Sequence, residues 1–279
     1  MSEQLSHGPL GEQVAYPGQY DPSCLHPIAR QAGRDGLGLG DVLPFGGMDI
    51  WNAYELSCLN EQGKPLVACA EFRVPAQSPN IIESKSFKLY LNSFNQTRLS
   101  GPDTMATMAE MLRHDLSLAA GAEVQVAIYC PEDWPANYSI ALPRGECIDG
   151  LDICPDSYQP SPSLLSANTG DVVEETLYSH LLRSRCPVTS QPDWASIEIN
   201  YRGPRINQEG LLAYLVSFRE HDDFHEQCVE QIFSDISRYC APLRLTVYAR
   251  YLRRGGLDIN PWRSNDDLAS PENRRGARQ

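Results

Sequence analysis

A short loop with the sequence R-C-P-V-T-S-Q-P-D-W places a thiol and a carboxylate seven positions apart, at Cys186 and Asp193. A thiolate attacks a polarised carbon, and a nearby acid protonates the atom that becomes negative beside it. Cys186 lies in a turn rather than in an apolar run, and the adjacent Arg185 favours the thiolate form. The alternatives are an inert buried thiol and an Asp193 that only caps a turn or a helix.

A second polar run, H-D-D-F-H-E, begins at His221 and ends at Glu226 where an apolar-faced helix starts. His225 and Glu226 are candidates for binding the edge of a substrate and for moving protons. His221 and His225 are four positions apart and could share a helical face, so a metal site is the rival interpretation. No third nitrogen or sulfur ligand stands at a telling spacing, and Asp222 and Asp223 equally suit a solvated first turn.

The motif E-S-K-S begins at Glu83, where another amphipathic helix opens. A fixed carboxylate accepts two hydrogen bonds from the N–H donors along one edge of a guanine-like ring, and the neighbouring Lys85 can meet a phosphate. A carboxylate in a first helical turn also compensates the helix dipole, which is the structural alternative.

Near the end of the chain, the run Arg253-Arg254-Gly255-Gly256 combines positive charge with close backbone approach, which suits phosphate groups. A solvated strand end is the alternative. The other glycine-rich run, residues 36–40, has no strand before it and no helix after it, so it is not a Rossmann fingerprint.

Two helices that position these residues repeat one another. Each carries an apolar stripe at i, i+3, i+4 and i+7 and spells Y-L-x-S-F, and the two segments lie 124 positions apart. The stripes are Phe87, Tyr90, Leu91 and Phe94 in the first copy, and Leu211, Tyr214, Leu215 and Phe218 in the second. After a duplication, core residues are retained in both copies, whereas catalytic residues are needed in only one. Polar residues that differ between the copies are therefore candidates for function.

Other features repeat in the same order: a hairpin, a second helix (about 104–119 and 223–239), a strand and the string G-L-D-I. The order ββααββ, given twice, predicts an α+β fold of two antiparallel sheets, each backed by two helices. The predicted domains are an irregular arm (1–44), a first unit (45–154), a linker (155–170), a second unit (171–263) and a polar, disordered tail (264–279).

Composition excludes several classes of protein. The chain has 279 residues and a formal net charge of −13, so nonspecific attraction to nucleic acid should be weak. No apolar stretch approaches the roughly 20 residues that span a bilayer, and the polar start lacks a secretory signal. The nine cysteines form no C-x-x-C pair, which favours reduced thiols and a cytoplasmic protein.

Taken together, four motifs closely resemble one family. They are E-S-K-S-F-K-L-Y from Glu83, Cys186 with Asp193, F-H-E ending at Glu226, and R-G-G from Arg254. The chain resembles the NADPH-dependent 7-cyano-7-deazaguanine reductases of the queuosine pathway, in their long form with two tandem domains. The resemblance covers roughly residues 36 to 263, and the E-S-K-S-F-K-L-Y string is specific to that family.

The resemblance implies tandem tunnelling-fold (T-fold) units and reduction of a nitrile to a primary aminomethyl group with two NADPH. It implies that Cys186 forms a covalent thioimide and that Asp193 donates a proton. The substrate-binding residues would be Ile82, Glu83, Ser84, His225 and Glu226. The residues that contact NADPH would be Ser84, Lys85, Arg254 and Gly255.

The expected partner is the small-molecule substrate, with no nucleic acid, membrane or metal, and the expected assembly is a homodimer. A purine-binding or pterin-binding T-fold protein without redox chemistry is the alternative function.

Overall fold

The structure, a computed structural model, describes residues 16–267, 269 and 271–279 and has a mixed α+β fold. The strands are β1 (Pro27–Ala29), β2 (Gly46–Leu59), β3 (Pro65–Pro75), β4 (Asn80–Ile82), β5 (Gln125–Tyr129), β6 (Glu146–Cys147), β7 (Ala167–Arg185), β8 (Pro192–Ile206), β9 (Arg244–Tyr251) and β10 (Leu257–Ser264). The helices are α1 (Gln31–Gly36), α2 (Ser84–Ser93), α3 (Thr104–Ala120), α4 (Trp134–Asn137), α5 (Gln208–Val216) and α6 (His225–Cys240).

The chain divides into two compact units. Unit 1 comprises the described residues up to Ala32 with Ile50–Ser139 and Arg254–Asp258, and unit 2 comprises Gly33–Asp49, Ile140–Arg253 and Ile259–Gln279. These units differ from the predicted domains 45–154 and 171–263, because short segments of each half belong to the other unit. Arg254 and Gly255 therefore lie in unit 1 with Glu83, a grouping that their distance along the chain does not suggest.

In unit 1, three strands lie side by side in the order β5-β3-β2. The hairpin between β2 and β3 turns where the sequence predicted, and Asn60 N donates a hydrogen bond to Lys64 O at 3.0 Å. Gly63 completes the turn in the left-handed region at φ 85°, a conformation that glycine adopts without steric cost. The predicted hairpin is confirmed.

The predicted irregular arm is more ordered than its composition suggested. Within residues 16–44 it forms β1 and α1, and β1 pairs antiparallel with β4 so that Pro27 lies opposite Ile82. Glu83 N then donates a hydrogen bond to His26 O at 2.9 Å. A strand of three residues has little periodicity of its own, so this pairing depends on its partner. Residues 1–15 of the predicted arm lie outside the described residues.

In unit 2, five strands follow the order β10-β9-β8-β7-β6. The sequence of long elements, β7, β8, α5, α6, β9 and β10, is the predicted ββααββ. Inward residues of β8 alternate with outward ones, and Ile197 and Ile199 share a buried core with Ile232 and Phe233 of α6. The first half departs from the pattern, because after β5 it supplies only the two-residue β6, which pairs parallel with β7.

Equivalent hydrogen bonds in the two halves support the duplication. The Tyr90 hydroxyl of α2 donates to Asp115 of α3 at 2.6 Å, and the Tyr214 hydroxyl of α5 donates to Asp235 of α6 at 2.6 Å. All eight residues of the two predicted stripes are buried. Phe94 and Phe218 lie just beyond the ends of α2 and α5, so each stripe continues past its helix.

The polar tail is an ordered part of unit 2, and the prediction that it is disordered is wrong for its described residues. Arg253 N donates to Arg278 O at 3.0 Å and Ala141 N donates to Arg275 O at 2.9 Å. The Gln279 side chain is buried and its Nε2 donates to Tyr251 O at 2.6 Å. Backbone pairing and one buried amide order a segment that has no apolar pattern of its own. Residues 268 and 270 lie outside the described residues.

None of the helices among the described residues has both the length and the apolar character needed to cross a membrane.

Candidate active site

The end of the β7–β8 hairpin brings a thiol and a carboxylate onto one buried face. Ser184 of β7 lies opposite Asp193 of β8, and Cys186 is two positions further along, which places it on the same side of the chain as Ser184. Cys186 N donates to Gln191 O at 2.9 Å and closes the turn. Cys186 is 5% exposed and Asp193 is 1% exposed. Asp193 is the second residue of β8, so it is not a helix cap.

The loop before α6 is attached to the same strand end. Arg185 N donates to His221 O at 2.8 Å, and Asp223 N donates to Arg185 O at 3.1 Å. These bonds fix the start of α6 beside the residue that precedes Cys186. Helix α6 begins at His225, and both His225 and Glu226 are buried. The structure therefore gathers the four sequence-predicted residues of unit 2 at one end of its sheet.

His225 contacts both the carboxylate and an aromatic ring. Its Nε2 lies 3.2 Å from Asp193 Oδ2, and its ring stacks on Tyr251 with centroids 3.8 Å apart and an interplanar angle of 3°. Its Nδ1 is buried and has no hydrogen-bond partner among the described residues. The imidazole is thus held in one orientation by stacking on one side and by Asp193 at one nitrogen.

Sequence reasoning missed Tyr251, and it counted Cys228 only among the nine cysteines that it expected to be reduced. Both Tyr251 and Cys228 are fully buried. Burial raises the pKa of Cys228 far above its ordinary value, and the charge of Asp223 raises it further. Burial likewise raises the pKa of Tyr251, with further contributions from Cys228 and Asp193. Cys228 therefore stays a neutral thiol, while Cys186 lies in the turn.

The expected role of Arg185 is not what the structure shows. Its guanidinium makes a bidentate pair with Asp222, with Nε to Oδ1 at 2.9 Å and Nη2 to Oδ2 at 2.7 Å. Nη2 also donates to Glu220 O at 2.8 Å. The neighbouring carboxylate compensates the positive charge that was expected to favour the Cys186 thiolate.

The alternative metal site does not have the geometry that it requires. His221 lies in the turn before α6, and the helix starts only at His225, so the two histidines do not share a helical face. His221 Nε2 lies 3.5 Å from Asp223 Oδ2 instead. Among residues 16–267, 269 and 271–279, no group of three or more His, Cys, Asp or Glu side chains is placed to hold a metal ion.

In unit 1, Glu83 is the N-cap of α2. Its two carboxylate oxygens accept hydrogen bonds from Lys85 N at 2.6 Å and Ser86 N at 2.7 Å, and the residue is fully buried. Burial raises the pKa of Glu83, although these two N–H donors and the charges of Lys88 and His26 oppose the shift. A carboxylate oxygen has more than one acceptor position, so this capping leaves capacity for a ligand.

The predicted phosphate-binding residues cluster at the same helix. Gly255 has φ 60°, and a Cβ atom there would lie 3.2 Å from Lys88 Cε. Lys88 is about one helical turn after Lys85, so Gly255 and its neighbour Arg254 lie beside the positively charged start of α2. Arg254 and Lys85 are partly exposed. Cations and an exposed glycine together suit phosphate groups.

A buried ionic network anchors α6 in unit 2, and the sequence analysis did not anticipate it. Glu230 accepts hydrogen bonds from Arg34 at 2.8 and 2.9 Å and from Arg263 at 2.9 and 3.1 Å. Arg263 also donates to Asp49 at 2.8 Å. The sequence held one indication of this network. Glu230 follows Val229 on the apolar face of the helix, and a carboxylate buried there must be paired.

Comparison with known proteins agrees with these observations. Residues 16–128 match the family described as "Nitrile reductase, 7-cyano-7-deazaguanine-reductase N-term", and residues 192–270 match a family described as "QueF-like protein".

Three bacterial relatives are each named NADPH-dependent 7-cyano-7-deazaguanine reductase. The protein of Chromobacterium violaceum is 59% identical and aligns over 98% of this chain and 97% of its own. That of Bordetella avium is 56% identical over 99% of both chains, and that of Ralstonia nicotianae is 57% identical over 98% of both. A solved structure of an archaeosine synthase QueF-Like in the apo form covers 36% of this chain and 96% of its own, with 17% identity and a TM-score of 0.30.

Proposed function

Because the chain belongs to the family of 7-cyano-7-deazaguanine nitrile reductases, we propose that it reduces its nitrile substrate through a covalent thioimide on Cys186. The chain is an NADPH-dependent oxidoreductase, as its relatives are named. The product would be 7-aminomethyl-7-deazaguanine, an intermediate for queuosine in tRNA. The observation that supports the mechanism best is the hairpin end of unit 2, where Cys186, Asp193 and His225 are buried together.

The proposed first step is addition of the thiol across the nitrile. The Cys186 sulfur bonds to the nitrile carbon, one carbon–nitrogen π bond opens, and the nitrogen takes a proton, which leaves a thioimide. Asp193 is the proposed donor of that proton. Its carboxyl group is 1% exposed and 3.2 Å from His225 Nε2, so His225 can hold it in place and return a proton to it.

After the first two-electron reduction the substrate is a thiohemiaminal on Cys186. The carbon–sulfur bond then breaks, the sulfur leaves as a thiolate, and the resulting imine accepts the second pair of electrons. Burial of Asp193 and His225 keeps bulk water away from this imine, which water would otherwise hydrolyse.

We propose that the predicted binding residues hold the deazaguanine by its hydrogen-bonding edges. His225 Nδ1 is a buried nitrogen with no partner among the described residues, and Glu226 is 3% exposed at the start of α6. Glu83 supplies a buried carboxylate, with Ile82 before it and Ser84 after it. An incorrect base would leave these buried groups unpaired, an effect that supplies discrimination on the order of 10⁴-fold.

The residues proposed to hold NADPH fit a phosphate-bearing cofactor. Ser84 and Lys85 open α2, and Gly255 has the backbone conformation and exposure that permit close approach. Arg254 adds a second cation in the same unit. When bound, NADPH supplies a hydride for each of the two reductions.

The finer structural assignments are part of the same proposal. The α+β halves with equivalent tyrosine–aspartate bonds support tandem T-fold units that arose by duplication. We propose that the protein acts in the cytoplasm as a homodimer on a free small molecule rather than on nucleic acid, since its formal net charge is −13.

The decisive experiment is intact-mass spectrometry of the protein saturated with 7-cyano-7-deazaguanine in the absence of NADPH. We expect a mass gain of one substrate molecule, a new thioimide absorbance, and substrate-dependent oxidation of NADPH when the cofactor is added. A protein that binds the base and is thermally stabilised by it, but forms no adduct and oxidises no NADPH, would instead be a purine-binding or pterin-binding T-fold protein.

A further inference from the structure

A cavity of about 370 Å³ lies within unit 2, on the sheet face opposite α5 and α6. Glu198 and Arg250 point into it, and they alternate along β8 and β9 with residues buried against the helices. Its lining includes Ile140, Leu142, Glu198, Arg250, Arg274 and Arg278, together with the end of the tail. The tail that was predicted to be disordered thus forms one wall of the cavity.

The charges of this cavity oppose those of the whole protein. Its lining contains three arginines, Arg250, Arg274 and Arg278, and one acidic side chain, Glu198, in a chain with a formal net charge of −13. Arg274 also pairs with Glu272, which is not part of the lining. Arg250 is 7% exposed, and its Nη1 donates to Tyr248 Oη and Asn273 Oδ1, both at 2.7 Å. These neutral acceptors position the guanidinium.

Arg278 supplies a hydrogen-bond donor that the described residues do not use. Its Nη2 donates to His180 O at 2.8 Å, whereas its Nη1 is buried and has no partner among the described residues. Burial lowers the pKa of Arg278, against the opposing charge of Asp149. The Asp149 carboxylate itself accepts from Ser179 Oγ at 2.6 Å and His180 N at 3.0 Å. A buried cationic donor without an acceptor is costly, which indicates that a ligand supplies one.

We propose that this cavity is a second ligand site, which binds an organic oxyanion: a phosphate monoester or a carboxylate attached to an apolar or aromatic body. The oxyanion accepts from Arg278 Nη1 and also pairs with Arg274, whose Nε already donates to Glu272 Oε2. The body lies against Ile140 and Leu142, which are 65% and 77% exposed, and whose covering by a ligand removes apolar surface from water.

The cavity is distinct from the site of the nitrile chemistry. Arg250 faces the cavity, and the next residue, Tyr251, faces the other side of the sheet, where its ring stacks on His225. The two sites therefore lie back to back in unit 2, separated by the sheet. Gln279 lines the cavity and donates to Tyr251 O at 2.6 Å.

The test measures binding of phenyl phosphate, benzoate and phenol by calorimetry at constant ionic strength, to protein saturated with NADP⁺. We expect phenyl phosphate to bind most tightly, benzoate more weakly, and neutral phenol not at all. Arg278→Gln should weaken phenyl phosphate binding about tenfold, because a charge-assisted hydrogen bond is lost. Arg113→Gln, which removes an exposed arginine on α3, should leave it unchanged. Cys186→Ala should bind phenyl phosphate normally, so failure of the thioimide and failure of this site are distinguishable.

Equal binding by Arg278→Gln and the unaltered protein would overturn the proposal, as would phenol binding as tightly as phenyl phosphate. Loss of binding on saturation with NADP⁺ would also overturn it, because the anion would then occupy the cofactor site. Should Arg278→Gln unfold, Arg274→Gln replaces it, since that side chain is 40% exposed. The same weakening is expected there, and unchanged binding would count against the site.

Discussion

The second helices of the two halves, α3 and α6, occupy equivalent places but begin in opposite ways. Helix α3 starts from Asp103, an exposed N-cap whose carboxylate accepts from Met105 N and Ala106 N, both at 3.0 Å. Helix α6 starts after Phe224, which supplies no side-chain cap, and its first residues, His225 and Glu226, are buried. One start uses its polar side chain for helix stability, and the other buries polar side chains that we propose to bind the substrate.

The first helices, α2 and α5, differ in a related way. Asn207 caps α5 by accepting one hydrogen bond from Gly210 N at 2.6 Å, and a Cβ atom on Gly210 would lie 2.4 Å from Leu164 O. The start of α5 is thus covered by backbone. The start of α2 carries a buried carboxylate, Glu83, beside the partly exposed Lys85. A duplicated core permits this division, because each apolar stripe is retained whichever polar residue opens the helix.

The largest expected effect is on catalysis, and it distinguishes Cys186 from Cys228, the two thiols compared in unit 2. Cys186→Ala should abolish the adduct and lower kcat by at least about 10³-fold, because no other group replaces the nucleophile. Cys228→Ala should retain the adduct, because burial keeps the Cys228 thiol protonated. Intact mass and NADPH oxidation measure both effects. An adduct on Cys186→Ala that disappears in the double variant would assign the nucleophile to Cys228.

The next effect compares Asp193 of β8, which contacts His225 at the start of α6, with Asp103, the N-cap of α3. Asp193→Asn should lower kcat by about 10²-fold to 10⁴-fold, with little change in substrate Kd, because the proton donor is lost. Asp103→Asn should change neither, since asparagine caps a helix about as well as aspartate. Pre-steady-state kinetics of thioimide formation makes the measurement. A normal rate for Asp193→Asn would assign proton donation to another group.

A smaller effect, on substrate affinity, is expected to distinguish Glu83, the N-cap of α2, from Asn207, the N-cap of α5. Glu83→Gln should raise the Kd for the deazaguanine about tenfold to a hundredfold, because hydrogen bonds to a charged acceptor are lost. Asn207→Asp should leave the Kd unchanged. Equilibrium binding to the Cys186→Ala protein makes the comparison without turnover, and an unaltered Kd in Glu83→Gln would leave Glu83 as a helix cap alone.

The raised pKa of Glu83 adds a pH dependence to this comparison. Between the ordinary glutamate value and the raised value in the folded protein, the folded state holds a proton that the unfolded state has lost. The stability of the unaltered protein relative to Glu83→Gln should therefore fall as pH rises through that window, and remain level above it. Urea unfolding of both proteins across the window measures the difference, and a rising relative stability would show that the pKa is lowered.

The smallest expected effect is that of Arg185→Gln. Its charge is compensated by Asp222 on the surface, so kcat should change by less than about twofold. Steady-state kinetics measures it, and the matched variant is Arg205→Gln, another exposed arginine with an aspartate partner. A tenfold fall in kcat for Arg185→Gln alone would restore its predicted role beside Cys186.

Much of the local structure follows from the sequence pattern alone. The spacing of Phe87 and Tyr90 fixes which face of α2 is buried, and the turn after β2 forms where polar residues interrupt two apolar runs. Such features depend on residues a few positions apart, whose periodicity matches a helix or a strand. The position of Cys186 in a turn, with Asp193 after it, is likewise local and was predicted.

Tertiary structure alone decided the partners of those residues. It paired Arg185 with Asp222, stacked His225 on Tyr251, and placed Arg254 in the unit of Glu83. The tail has no apolar pattern, yet it forms one wall of the cavity in unit 2. Its backbone is held there by hydrogen bonds from Ala141 and Arg253, which are distant in the chain. Sequence pattern specifies what each element must bury, but contacts between residues far apart in the chain arise only when the packed elements fix strand register and helix rotation.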